Sequence, residues 1–385
     1  MGEDHADELV RIDDAGDEYT SRQRSTTDGE LARAHLYDEA FLSMGGLLVE
    51  RRVGRSLMAG RGQAHLRDGS MLSVRELVVE FAGPRRSVVH AVSGVSFDLQ
   101  RGETLGVVGE SGCGKSTTGR ALMRLEHVTS GTIELNGRDL TSLEGKSLRA
   151  ARRSMQMIFQ DPESSLNPSR RVRDIVREGL TIWDVDESSL GAGHVDTVLA
   201  AVGLGDPDVL DRRPHEFSGG QCQRICIARA LVMDPDVLIL DEPVSALDVS
   251  VQAQILNVLE RLKRRFGLTM LFISHDLAVV KNISDRVMVM YLGKVCEVAD
   301  TDTLYREPAH HYSRALLASI PGHTLDLPPT DQLIKGELPS PLEPPSGCRF
   351  RTRCPAATDR CATEEPTLTE IGVGHYVACH HPVLR

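Results

Sequence analysis

The run Gly109-Glu110-Ser111-Gly112-Cys113-Gly114-Lys115-Ser116-Thr117 has the GxxxxGK[ST] spacing that wraps a backbone around phosphates. Glycines let successive N–H groups turn inward, and a helix starting at Lys115 adds the positive potential of its N-terminus. In such a loop Lys115 reaches the β- and γ-phosphates and the Ser116 hydroxyl ligates Mg²⁺. Cys113 meets the loop's need for a small residue that packs. Farther on, the apolar run Val237-Leu238-Ile239-Leu240 delivers two acids, Asp241 and Glu242, at the carboxyl end of a strand, where ligands of open α/β sheets bind. Asp241 suits the Mg²⁺ shell, and Glu242 suits the orientation or deprotonation of an attacking water. Taken alone, the first motif is a glycine turn with an incidental lysine and the second a pair of surface acids. In this order and context the two describe nucleotide triphosphate chemistry.

These residues need a scaffold, and the flanking sequence provides one. LSVRELVVEF and AVSGVSFDL alternate with period two, as a half-buried antiparallel sheet requires. TLGVVG is the apolar strand that feeds the phosphate loop, and SGTIELNG is a second glycine-marked strand unit. A polar, helical stretch runs from about Pro168 to Arg229, then DVLILD and TMLFIS flank the helical VQAQILNVLERLKRR. Strands alternating with helices predict a parallel sheet covered on both faces, so the fold class is α/β. RVMVMYLGKVCEVAD reads as a last strand pair. Residues 321 to 347 are rich in Pro, and the remainder holds four of the eight cysteines. The expected domains are an N-terminal extension over 1–70, largely disordered; a nucleotide-binding domain over 71–300 with a helical part at about 165–232; and a C-terminal extension over 301–385. Met71 directly precedes the first strand, which raises the expectation that translation starts there; the mass of the native protein tests it. Phe81, in the first sheet, is placed either to stack on adenine or to sit in the core.

Composition narrows the function further. A formal net charge of -11 over 385 residues argues against holding nucleic acid mainly through its phosphates. No run of eighteen apolar residues occurs, and the first twenty residues carry eight acids against one Arg, the reverse of a signal peptide. The expectation is a chain that neither spans a membrane nor is exported. Its cysteines are then reduced thiols or metal ligands more than disulfides.

Phe217-Ser218-Gly219-Gly220-Gln221, just before QRICIARAL, is by itself a turn. Between a phosphate loop and a paired-acid strand it resembles the signature of ATP-binding-cassette (ABC) ATPases. That resemblance implies an ABC-type fold: a RecA-like parallel core, an N-terminal antiparallel β subdomain, a helical signature subdomain and, here, a Cys-containing C-terminal extension. It also implies that two cassettes lie head to tail, the signature Ser218, Gly219, Gly220 and Gln221 of one covering ATP on the other. Gln160, in MIFQDPESSLNP, matches the glutamine that senses Mg²⁺ and water. His275, in FISHDL, matches the histidine that contacts the γ-phosphate, and Ser245-Ala246-Leu247-Asp248 matches the loop joining the two sites. Cys222 and Cys226 depart from the Arg and Gly usual there.

Within that family, GVVGESGCGKSTTGRALMRL, IFQDPESSLNP, PHEFSGGQCQRICIARAL and DEPVSALDVSVQAQILNVL resemble the ATPases of oligopeptide and dipeptide importers, whose text the nickel and glutathione importers share. EPAHHYSRALLASIP followed by GCRFRTRCP resembles their characteristic tail. The implied partners are two integral-membrane permeases, a second ATPase identical or not, and an extracytoplasmic solute-binding protein, with this chain peripheral at the cytoplasmic face of the membrane and no nucleic acid involved. A soluble ABC ATPase acting on nucleic acid or the ribosome is the alternative. Cys348, Cys354, Cys361 and Cys379 supply four thiols, enough for a [4Fe–4S] cluster or a structural Zn²⁺, with unligated or disulfide-bonded cysteines the other alternative; the resemblance favours the cluster.

Overall fold

The computed structural model describes residues 63, 65–191, 193–320, 334 and 336–384. The expectation of disorder over most of 1–70 therefore lies largely outside the described residues. Where that stretch is described it packs on the folded chain: His65 is buried and its Nε2 lies 2.6 Å from the Ser96 carbonyl, while Arg67 pairs with Asp98 (2.8 Å) and Glu103.

Two sheets carry the fold. In the smaller, β1 (Leu72–Ala82), β2 (Val88–Leu99), β4 (Ser130–Leu135) and β5 (Arg138–Asp139) are ordered β2-β1-β4-β5 and antiparallel throughout. Asn136 and Gly137 both have positive φ (50° and 74°), the type I′ hairpin geometry that Asn-Gly adopts readily.

In the larger sheet β3 (Thr104–Val108), β6 (Met155–Ile158), β7 (Val237–Asp241), β8 (Thr269–Ser274) and β9 (Arg286–Tyr291) run parallel in the order β9-β3-β8-β7-β6. β10 (Lys294–Asp300) returns antiparallel to β9, and β12 (His375–Val377) and β11 (Thr369–Gly372) extend the edge beyond it. The tail thus shares the cassette's own sheet.

Parallel strands read as unbroken apolar runs because both faces are covered, and here the partition is visible residue by residue. Leu238 and Leu240 of β7, Met270 and Phe272 of β8, and Val287 and Val289 of β9 face one apolar cluster. Val237 and Ile239, Leu271 and Ile273, and Met288 and Met290 face the other. The second cluster is closed by β1, β2 and helix α1 (Lys115–Leu122), with α2 (Gly145–Arg153) at its rim. The first is closed by α3 (Val172–Ile182), α4 (His194–Ala201), α6 (Gly219–Leu231), α7 (Val249–Phe266) and α8 (Leu277–Ile283), with the one-turn α5 (Pro207–Leu210) beside them. After β10 come α9 (Thr301–Arg306), α10 (His311–Ala318) and, in the tail, α11 (Asp359–Thr363). Tyr291, Tyr312 and Phe350, all fully or almost fully buried, meet at centroid distances of 4.8, 5.2 and 5.4 Å and bind the tail to the cassette.

Candidate functional site

The phosphate loop follows β3 and runs into α1, and its glycines are required by geometry. Gly114 has φ 99°, and a Cβ there would stand 2.2 Å from the Ala91 carbonyl oxygen; at Gly109 the corresponding clash is with the Met290 carbonyl, also at 2.2 Å. Only glycine permits that conformation at such close approach. Cys113 is fully buried and burial raises its thiol pKa, so it packs as an inert small residue. Lys115 is 4% exposed and its Nζ donates to the carbonyls of Gly109 (2.7 Å) and Glu110 (3.1 Å), holding a cation inside the loop.

At the ends of the parallel strands, β7 brings Asp241 against this loop. The Ser116 hydroxyl donates to Asp241 Oδ1 at 2.6 Å. Burial raises the Asp241 pKa, partly offset by the Ser116 hydrogen bond and by Arg120, whose guanidinium lies 4.0 Å away. A buried carboxylate beside a hydroxyl, still short of positive charge, suits Mg²⁺, which takes one or two protein ligands and completes its shell with phosphate and water. When bound, that ion supplies charge neutralisation for the phosphates.

Glu242 follows with φ 50°, a left-handed conformation uncommon for a non-glycine residue and fixed here by its N–H donating to the Ile273 carbonyl (3.0 Å). Its Oε2 accepts from Gln160 Nε2 at 3.1 Å and lies 3.1 Å from His275 Nδ1. Ser245 Oγ donates to the Glu242 carbonyl, and Asp248 caps α7 by accepting from the Val251 N–H. A cleft of about 370 Å³ is lined by Phe81, Ser111, Gly112, Gly114, Lys115, Ser116, Thr117, Gln160 and Glu242. The structure thus brings together the phosphate loop, the acid pair, Gln160, His275 and Phe81.

Ser218, Gly219, Gly220 and Gln221 do not line this cleft. They form the N-terminus of α6, where Ser218 Oγ accepts from the Gln221 N–H and Gln221 Oε1 accepts from the Ser218 N–H, a reciprocal capping box. Gly220 is needed because a Cβ would meet Val251 at 2.4 Å. Cys222 and Cys226 point inward, buried beside the carbonyls of Pro214 and Pro162, with burial pushing the Cys226 thiol up to about 11.

The tail cysteines lie beside the cassette's edge strands. Cys348, Cys354, Cys361 and Cys379 are free thiols, and burial raises the first, second and last of them, to about 11 at Cys354 and about 12 at Cys379. Among the described residues no three His, Cys, Asp or Glu side chains form a group able to hold a metal ion. The Cys361 sulfur instead lies 3.7 Å from the Thr358 hydroxyl, and that of Cys379 accepts from the His381 N–H (3.4 Å). The four sulfurs are nevertheless near enough to act on one another, Cys348, Cys354 and Cys361 each adding to the upward shift at Cys379.

Three tail residues at the cleft or on the phosphate loop were missed by motif reading. Pro341 lines it and accepts through its carbonyl from the His90 N–H (3.0 Å). Tyr312 and Arg353 both contact Glu110. Arg353 lies in GCRFRTRCP, where the cysteines drew the reading.

The fold and site define an ABC transporter ATPase, and the family described as ABC transporter matches residues 92–245. The chain belongs to the oligopeptide/dipeptide transporter branch of the ABC ATP-binding proteins: the C-terminal region of that family matches residues 296–361. It is 52% identical over 313 residues to the putative oligopeptide transport ATP-binding protein YkfD of Bacillus subtilis, covering 80% of this chain and 95% of that protein. With the oligopeptide transport ATP-binding protein OppF of Escherichia coli it shares 51% identity over 292 residues, 75% of this chain and 87% of that one. Among solved structures, cbiO1 of Clostridium perfringens, part of the ABC transporter complex cbiONQ, aligns with a TM-score of 0.55 at 30% identity, covering 61% of this chain and 90% of that one. The chain is an ATP-binding, ATP-hydrolysing transport subunit. Among the described residues no helix is long and apolar enough to cross a membrane.

Proposed function

We propose that this chain energises an ABC importer for di- or oligopeptides from the cytoplasmic face of the membrane, paired with a second ATPase, two permeases and an extracytoplasmic solute-binding protein. The observation that carries the reading is the meeting of Gln160 and His275 on the Glu242 carboxylate at the mouth of the phosphate cleft. Glu242 accepts the proton of the attacking water, His275 orients Glu242 and contacts the γ-phosphate, and Gln160 holds the water beside Ser116 and Asp241. Lys115 exchanges its two loop carbonyls for phosphate oxygens, and Phe81 stacks on the base.

The capping box at Ser218 to Gln221 leaves a helix N-terminus with close-packed glycines outside its own cleft. It is shaped to approach phosphate on a second cassette. Closure of two cassettes over two ATP therefore supplies the mechanical step, and hydrolysis reopens them. The relatives give no support to a nucleic-acid or ribosome ATPase.

Affinity purification of the tagged chain from detergent-solubilised membranes, followed by reconstitution with what copurifies, tests this. Two polytopic permeases and ATP-dependent peptide uptake are expected. Recovery without membrane proteins, or uptake that persists with Lys115→Ala, refutes it.

A further inference from the structure

The phosphate loop carries a negative charge of its own. Glu110 is its second residue, and a carboxylate there repels the phosphates the loop must gather. In this chain the tail answers it. Arg353 Nη1 donates to Glu110 Oε2 at 2.7 Å and Nη2 to Oε1 at 3.1 Å, a two-pronged pair whose arginine side chain is 9% exposed and whose glutamate is 29% exposed.

The same residue is held twice more. Its backbone N–H donates to the Tyr312 hydroxyl at 2.8 Å, and its carbonyl accepts from Lys115 Nζ. Both tail groups are anchored: Tyr312 packs on Tyr291 and Phe350, and the Arg353 N–H donates to the Phe350 carbonyl (3.0 Å). Arg353 directly precedes Cys354, so the tail segment that carries the cysteines also carries the arginine to the loop.

We infer that Arg353 is a positioning residue for the phosphate loop: with Tyr312 it fixes Glu110 and cancels its charge, so the C-terminal extension is a working part of the ATP site. The inference rests on the ATP-site reading above and adds to it. Arg353 acts through Glu110 and touches no reacting atom, so its loss affects nucleotide affinity and KM more than kcat. A bidentate fork cannot be rebuilt by lysine, which restores charge without geometry.

The test uses the full-length chain in its assembled transporter, with equilibrium ATP binding, KM, kcat and melting temperature measured for each variant. Arg353→Ala is expected to weaken ATP binding about tenfold, the scale of losing one partner of a largely buried, hydrogen-bonded pair. Arg353→Lys recovers part of the loss, and the loss shrinks at high salt because the pair is partly solvated. In the Glu110→Gln background the same arginine change has less than about a threefold effect, because the charge it cancels is gone.

Should Arg353→Ala fail to fold, Tyr312→Phe, which keeps the aromatic packing and removes only the acceptor, is expected to weaken ATP about threefold. ATP affinity unchanged by Arg353→Ala, or weakened by the same factor whether residue 110 is Glu or Gln, overturns the inference while leaving the ATP site standing. Only if Lys115→Ala also binds ATP normally does the site reading fall with it.

Discussion

Replacing Glu242 by Gln isolates one proton-accepting group. The amide has nearly the same shape and can still accept a hydrogen bond, so the contacts now made at 3.1 Å with Gln160 and His275 survive in part. The hydrogen bonds of Lys115, Ser116 and Asp241 do not involve Glu242 and are untouched. What disappears is the capacity to take a proton from water. General-base catalysis contributes about 10²- to 10⁴-fold, equal to about 3 to 5 kcal/mol of barrier. Removing a negative charge near the γ-phosphate favours ATP binding if it changes it at all. The expected result is a fall of about 100-fold or more in kcat, with ATP affinity equal to wild type or tighter. Phosphate release under saturating ATP, together with equilibrium nucleotide binding, measures both. A fall of less than about tenfold, or a parallel loss of affinity, refutes the role given to Glu242.

Further outcomes follow from other contacts. Asp241→Asn removes the carboxylate paired with Ser116 and should raise the Mg²⁺ concentration for half-maximal activity about tenfold or more, read by metal titration. Gly114→Ala places a Cβ 2.2 Å from a backbone oxygen and should abolish ATP binding, measurable on folded protein. Glu297 is fully buried and accepts from the N–H groups of Ala309 (2.8 Å) and His310 (2.9 Å), with His375 Nε2 at 2.6 Å. Glu297→Ala orphans these groups and should cost about 3 kcal/mol or more in urea denaturation.

His310 is also buried, and burial depresses its pKa from 6.5 to about 4. Its Nδ1 accepts from the Tyr312 N–H (3.0 Å) and must be unprotonated to do so. The unfolded chain therefore binds the extra proton between these values. The neutral histidine's contribution is fully present above pH 6.5 and is lost as pH falls toward 4, about 3 kcal/mol in all. Stability of wild type and His310→Gln, measured across pH 7 to about 4, should converge.

Much of the catalytic face was legible because its constraints are local. A glycine loop after an apolar strand, paired acids at a strand end, and a histidine after FIS each announce themselves within a few residues, and all reach the same cleft. The two faces of the parallel sheet were legible as unbroken apolar runs. What stayed hidden depended on residues far apart in the chain. Arg353 is separated from Glu110 by 243 positions, and only the folded tail brings them together. The cysteine spacing was legible as a set of thiols, yet spacing says nothing about where each sulfur points. His65 and Arg67 looked like the end of a polar extension because their partners, Ser96, Asp98 and Glu103, lie beyond the first strand.

The edge pairing of β12 on β10 bears on how such transporters can be recombined. A chimera that swaps the cassette at residue 300 but keeps another protein's tail must re-form the register that sets Glu297 against Val377 and the buried meeting of Glu297 with His375. Without a matching tail, β10 becomes an open strand with a buried acid exposed at its margin, an invitation to pair with a neighbouring chain. Cassette and tail are therefore a single heritable part, and subunit exchange between related transporters should succeed when both travel together.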